Sequence, residues 1–219
     1  MEERNHNKCL LQVEEVLVSS SKVHSLLQSI EELGCKVPNA WIKCAPCNLQ
    51  PSKGVKMSGG FTFGQQEGIG GIEGIEASPK IVICEKEKLN KVTLEDTLLH
   101  ELIHAYDFCR AKIDVSNCAQ HACAEIRASA LSGECSSLKK EILRGEASLS
   151  LAKGFQKCIQ RRAIKSVRSN PHCSEKYMAE NAVKSVFEKC FWDTAPFENH
   201  SCSSLLPRTP NQSIPSEES

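Results

Sequence analysis

His100, Glu101 and His104 stand in the order H-E-x-x-H within the stretch HELIHAYDFC. On an α-helix, residues four apart lie one above the other on a single face, so the two imidazoles can aim nitrogens at one point. Tetrahedral zinc accepts such a pair. Glu101, one position further round the helix, can reach water at the metal without ligating the ion. The chemistry this implies is hydrolysis of an amide. Zinc lowers the pKa of bound water toward ~7 and balances charge on the carbonyl oxygen, while Glu101 takes the water's proton and passes it to the leaving nitrogen.

A catalytic zinc keeps three protein ligands and one open position, so a third must come from elsewhere. The stretch AQHACAEIRASALSG offers His121 and Glu125, also four apart. Glu125 is favoured because it follows His104 by 21 residues, on the next predicted helix. His121 remains the alternative, and whichever of the two is not a ligand is expected to support the site from behind. Asp107 lies on nearly the same face as His104. It could hold the second nitrogen of a ligand histidine or equally face solvent. Tyr106 reads as core packing and Arg127 as the partner in a salt bridge.

The elements that must position these residues follow from periodicity. Residues 93–111 read as a helix with Leu98, Leu99, Leu102 and Ile103 around the polar triplet. Thr93 and Asp96 have capping-box spacing. PKIVIC, just before it, reads as a strand and as the edge on which an extended substrate could pair. MSGGFTFG reads as a second strand. Residues 36–56 are rich in Pro and Cys and read as a loop. Residues 10–33 carry apolar positions at helical spacing, with a stop at Gly34 and a possible break at the serines 19–21. Beyond the metal helices, 136–145, 151–167 and 174–193 are helical in pattern, with a turn at SNPHC. Val183, Val186, Phe187 and Phe191 form a core-facing stripe.

Lys and Arg together equal Asp and Glu at 27 each. That balance gives no basic bias toward nucleic acid and no acidic bias toward disorder. Lys157, Arg161, Arg162, Lys165 and Arg168 make a local basic run that could meet anionic lipid. A solvated helix face is the simpler reading, and without interleaved aromatics the run is a poor nucleic-acid site. Aromatic residues are only 5% of the chain, so the core must rest on aliphatic side chains.

The 13 cysteines are dispersed, with only Cys44 and Cys47 at C-x-x-C spacing. Dispersal favours disulfide staples over zinc knuckles. An odd total leaves at least one thiol over in a monomer. Cys44 and Cys47 stay open between a local redox-type pair, longer bridges and a second metal. The N-terminal stretch has neither an apolar secretory core nor the Arg-rich character of a matrix-targeting peptide. Oxidised cysteines without either signal point to the mitochondrial intermembrane space.

Four blocks in order, HELIHAYDFCR, NCAQHACAEIRASALSGEC, CIQRRAIKSVRSNPHC and VFEKCFWDTAPF, resemble the mitochondrial inner membrane protease Atp23 family, the M76 metallopeptidases. The resemblance spans roughly residues 30–198. The Gly-rich stretch 64–78 is longer than the family pattern and reads as an insertion. The resemblance implies a metalloendopeptidase on the intermembrane-space side of the inner membrane, peripheral to it. Its protein substrate would be the precursor of an ATP synthase membrane-sector subunit, and it would also assist that sector's assembly without proteolysis. It implies His100 and His104 as ligands and Glu101 as the catalytic glutamate.

The expected fold is α+β and mostly α: a zincin-like domain with a small sheet and disulfide-stapled C-terminal helices. The chain divides into an N-terminal helical segment 1–35, a metallopeptidase domain 36–198 and a disordered tail 199–219. Two rivals are a non-proteolytic assembly chaperone with a vestigial site and a nuclear interaction protein. An intact Glu101 argues against the first, since a structural site needs no general base, and oxidised cysteines would argue against the second.

Overall fold

A computed structural model describes residues 2–35, 41–47, 58–62, 80–85, 89–135 and 149–197. The expected insertion at 64–78, the helical stretch 136–145 and the tail 199–219 lie outside the described residues.

Six α-helices and a three-stranded sheet make up the described chain. Helix α1 spans Glu2–Ser19 and α2 spans Ser21–Glu32. The break between them falls at Ser20, whose hydroxyl caps α2 by accepting from the Val23 N–H. Gly34 then ends the pair at φ +83°, a left-handed conformation that glycine adopts without a Cβ penalty.

The sheet comprises β1 (Ile42–Ala45), β2 (Gly59–Thr62) and β3 (Lys80–Cys84), in the order β1-β3-β2. Two expectations are corrected here. KIVIC is the central strand, parallel to β1 and antiparallel to β2, and the edge beside the site belongs to β2. The physical reason lies in its composition: Ile81, Ile83 and Cys84 are all buried, and a near-continuous apolar run suits a strand covered on both sides. Residues 42–45, expected as loop, form β1. Four residues are too few for a periodic signal, and their pairing comes from a strand almost forty positions away.

Helix α3 (Lys91–Arg110) is capped by Asn90, whose side chain accepts from the Thr93 N–H at 2.9 Å. The expected opening at Thr93 is therefore displaced: Asn90 is the stronger cap, and Thr93 lies inside the first turn. Helix α4 (Cys118–Leu131) is capped by Asn117. Helix α5 (Leu149–Ser169) and α6 (Met178–Phe191) follow, joined through a short 3₁₀ turn, Pro171–Cys173.

Two cores result. The first gathers α1, α2, the sheet and α3 around Val16, Leu26, Ile30, Ile81, Leu98 and Leu102. The second gathers α4, α5 and α6 around Ile126, Ile159, Val167, Val183, Phe187 and Phe191. The expected stripe on α6 is thus core, with Val186 only partly buried. Alanines let α4 serve both sides: Ala128 belongs to the first core and Ala122 to the second.

Twelve cysteines stand in six pairs at disulfide distance. Cys9–Cys44, Cys35–Cys109 and Cys47–Cys84 tie the first core. Cys118–Cys173, Cys123–Cys190 and Cys135–Cys158 tie the second. Cys44 and Cys47 are therefore partners in longer bridges and form neither a local pair nor a second metal site. Cys202 lies outside the described residues. No helix among the described residues is long and apolar enough to cross a membrane.

Candidate metal centre

The site lies on the seam between the two cores, where α3 packs against α4. His100 and His104 project from α3 one turn apart, with ring centroids 4.9 Å from each other. Glu125 reaches them from the middle of α4. Its carboxylate stands 3.6 Å from His100 Nε2 and 3.4 Å from His104 Nε2. One ligand atom from each of these three residues falls within 4.8 Å of the others. The imidazole–carboxylate separations are too long for good hydrogen bonds. They match the ligand–ligand edge of a tetrahedral ion bound at ~2.0–2.1 Å, which is roughly 3.3–3.4 Å. The donor set, two imidazoles and a carboxylate, is that of a catalytic zinc with a position left open. The residues therefore fit the ion.

His121 is drawn to the same place but behind Glu125. Its Nε2 lies 3.4 Å from Glu125 Oε1. Its Nδ1 is 3.0 Å from the Asn170 side-chain amide, which also donates to the Val115 carbonyl. His121 thus stands beside Glu125, with Asn170 at its other ring nitrogen, and lies outside the converging trio.

Glu101 is buried on α3 beside β2. A Cβ at Gly59 would come within 3.4 Å of Glu101 Oε1 and 2.9 Å of Thr97 Cγ2. The absence of a side chain at Gly59 is what lets the edge strand approach this helix. Phe61 on the same strand stacks over His104 at 6.4 Å.

The charges are set by burial and by one another. Burial lifts the Glu101 carboxyl above its usual range, against the pull of His100 and His104. Burial works against charge on both His100 and Glu125. For His100 the carboxylates of Glu125 and Glu134 outweigh it and raise the imidazole well above the usual histidine range. For Glu125 the histidines outweigh it and hold the carboxyl well below the carboxylate range.

Asp107 does not serve a ligand histidine. It is buried against Arg127, whose Nε donates to its carboxylate at 2.8 Å, and it also pairs with Arg110 at 3.1 Å. Arg127 is itself fully buried and donates to the Ala195 and Asp193 carbonyls, fastening the segment after α6 to the α3–α4 seam. Tyr106 is core, with the Arg110 guanidinium over its ring. Glu134, just past α4, accepts from His100 Nδ1 at 2.9 Å. Sequence reasoning missed it because it sits in a turn, where periodicity says nothing.

With this geometry in place, comparison with known proteins decides the family. The peptidase M76 family profile matches residues 7–198. The chain belongs to the peptidase M76 family. Among its relatives is the mitochondrial inner membrane protease ATP23 of Debaryomyces hansenii, 37% identical over 87% of this chain and 71% of the relative. The protein of the same name in Schizosaccharomyces pombe is 36% identical over 85% of this chain and 89% of its own. The Candida glabrata ATP23 is 48% identical over a shorter stretch, 54% of this chain and 52% of its own. No solved structure matches significantly. For an M76 peptidase, a protein substrate follows from the class.

Proposed function

We propose that this M76 peptidase is a zinc metalloendopeptidase of zincin-like architecture. It acts in the mitochondrial intermembrane space, peripheral to the inner membrane. There it processes the precursor of an ATP synthase membrane-sector subunit and assists the assembly of that sector. The observation that carries the reading is the convergence of His100, His104 and Glu125 at ion-bridging separations with a buried Glu101 alongside.

Zinc held by those three residues supplies a Lewis acid that lowers the pKa of water and balances charge on a carbonyl oxygen. Glu101 then does the proton work. Buried beside the two histidines, its carboxylate can take the proton of the attacking water and return it to the departing amide nitrogen. The β2 edge, Gly59–Thr62, offers backbone groups to an extended peptide running past α3. Phe61 bounds that path next to His104. Six disulfide pairs suit an oxidising compartment, and the relatives' names place them at the mitochondrial inner membrane.

Replacing Glu101 by Gln tests the reading. Precursor processing should fall about 100-fold or more, while bound zinc and assembly of the membrane sector persist. Unimpaired processing in Glu101→Gln, with assembly lost, would favour the chaperone role as the primary one.

A further inference from the structure

Glu134 lies outside the H-E-x-x-H helix and outside the converging trio, yet three separate devices hold it against His100. The first is the turn that carries it. Gly133 adopts φ +106°, and a Cβ there would stand 2.5 Å from Asp96 Oδ1 on α3. Only glycine lets the chain leaving α4 fold back this tightly onto α3, one turn before His100. The second is covalent: Cys135, the next residue, is paired with Cys158 on α5. The third is ionic. Arg162, one turn beyond Cys158 on the same helix, pairs with Glu134 Oε1 and leaves Oε2 for the imidazole.

We infer that Glu134 is a positioning residue for the metal ligand His100, and that Arg162 holds its carboxylate in register. The inference rests on the zinc-peptidase reading above. A carboxylate can only accept, so the Nδ1 of His100 must carry the hydrogen in the 2.9 Å contact. That fixes the ring's tautomer and turns Nε2 toward Glu125 and His104. A ligand histidine whose other nitrogen is held this way is oriented before the metal arrives and is a stronger base toward it. Helix α5 thereby gains a part in the site although it contributes no ligand. The same helix carries Arg168, which pairs instead with Glu180 on α6.

The test uses the full, oxidised chain and zinc alone as probe. Zinc affinity is measured by chelator competition, and the His100 Nδ1–H is followed by ¹H–¹⁵N NMR of the zinc-loaded protein. Glu134→Ala should weaken zinc binding roughly 10–100-fold and lose the slowly exchanging Nδ1–H signal. Glu134→Gln keeps an acceptor oxygen and should recover most of both. Arg162→Met should show a smaller loss, and Arg168→Met none. If Glu134→Ala fails to fold, the Gln and Arg162 variants and the wild-type Nδ1–H signal decide the matter. Wild-type zinc affinity in a folded Glu134→Ala, or a wild-type ring protonated at Nε2 with zinc bound, overturns the inference and leaves the peptidase reading standing. A wild type that holds no zinc overturns both.

Discussion

The residues of the centre differ in how openly the sequence displays them. His100, Glu101 and His104 lie within one helical turn, so their spacing alone defines their geometry. Glu125 was accessible because it repeats the logic one helix later, and the choice between it and His121 turned on its separation of 21 residues from His104. Glu134 was not accessible, since its place depends on a glycine turn and on a helix that follows later in the chain. The charges lead to a pH prediction. In the metal-free protein, His100 and Glu101 both have folded-state pKa values above their unfolded ones. The folded state therefore binds more protons than the unfolded chain does, and stability falls as pH rises through those folded values. Glu125 has the opposite sign, and its contribution is lost only in acid. Thermal unfolding of chelator-treated protein should thus show a falling midpoint as pH is raised from about 6.5 to 8.5. With zinc bound in place of the His100 proton, the decline should flatten. Parallel curves with and without metal would contradict this assignment of charge.

At the level of elements, long periodic helices were legible and short strands were not. The stretch 10–33 showed both its helices and the serine break, because Ser20 caps through a local bond to Val23. β1 and the central place of β3 were hidden because strand order is a long-range property that a five-residue apolar run cannot state. The fit of α3 to α4 was also hidden. It depends on Arg127, which reads in the sequence as the partner in a salt bridge, but whose partner, Asp107, and full burial the sequence does not give. Removing one partner of a buried pair strands the other charge. Arg127→Met should therefore cost about 3 kcal/mol in urea unfolding, toward the lower end because Arg110 still reaches Asp107. Adding Asp107→Asn should recover part of that loss. An Arg127→Met protein as stable as wild type would show that the buried pair is not what fastens the seam.

Across the whole molecule, covalent and polar fastenings divide the labour. Each of the six disulfide pairs joins elements of one core, and none among the described residues crosses between α3 and α4. The seam is crossed instead by the Asp107–Arg127 pair, by the His100–Glu134 contact and by the approach of Glu125 to the two histidines. A divalent ion there would join the two halves as well as serve chemistry. The dispersed cysteines announced staples, but their pairing was not readable, since it follows from the packing of helices far apart in sequence. Cys123–Cys190 closes a separation of 67 residues between α4 and α6. Replacing both by Ser should lower stability by about 2–5 kcal/mol and leave zinc content near that of wild type, because Glu125, the ligand on α4, lies two residues from Cys123 and so on the opposite face of the helix. Loss of zinc in this variant with the fold intact would place the bridge in the site itself.

The central claim is that one zinc ion is shared by α3 and α4 through His100, His104 and Glu125. Bound metal per chain, measured by elemental analysis of purified oxidised protein, tests it most directly. The wild type should carry about one zinc. His104→Ala and Glu125→Ala should carry little, and His121→Ala should retain most, with affinity lowered roughly 10-fold. A wild type without stoichiometric metal, or a Glu125→Ala protein that keeps its zinc while His121→Ala loses it, would contradict the account.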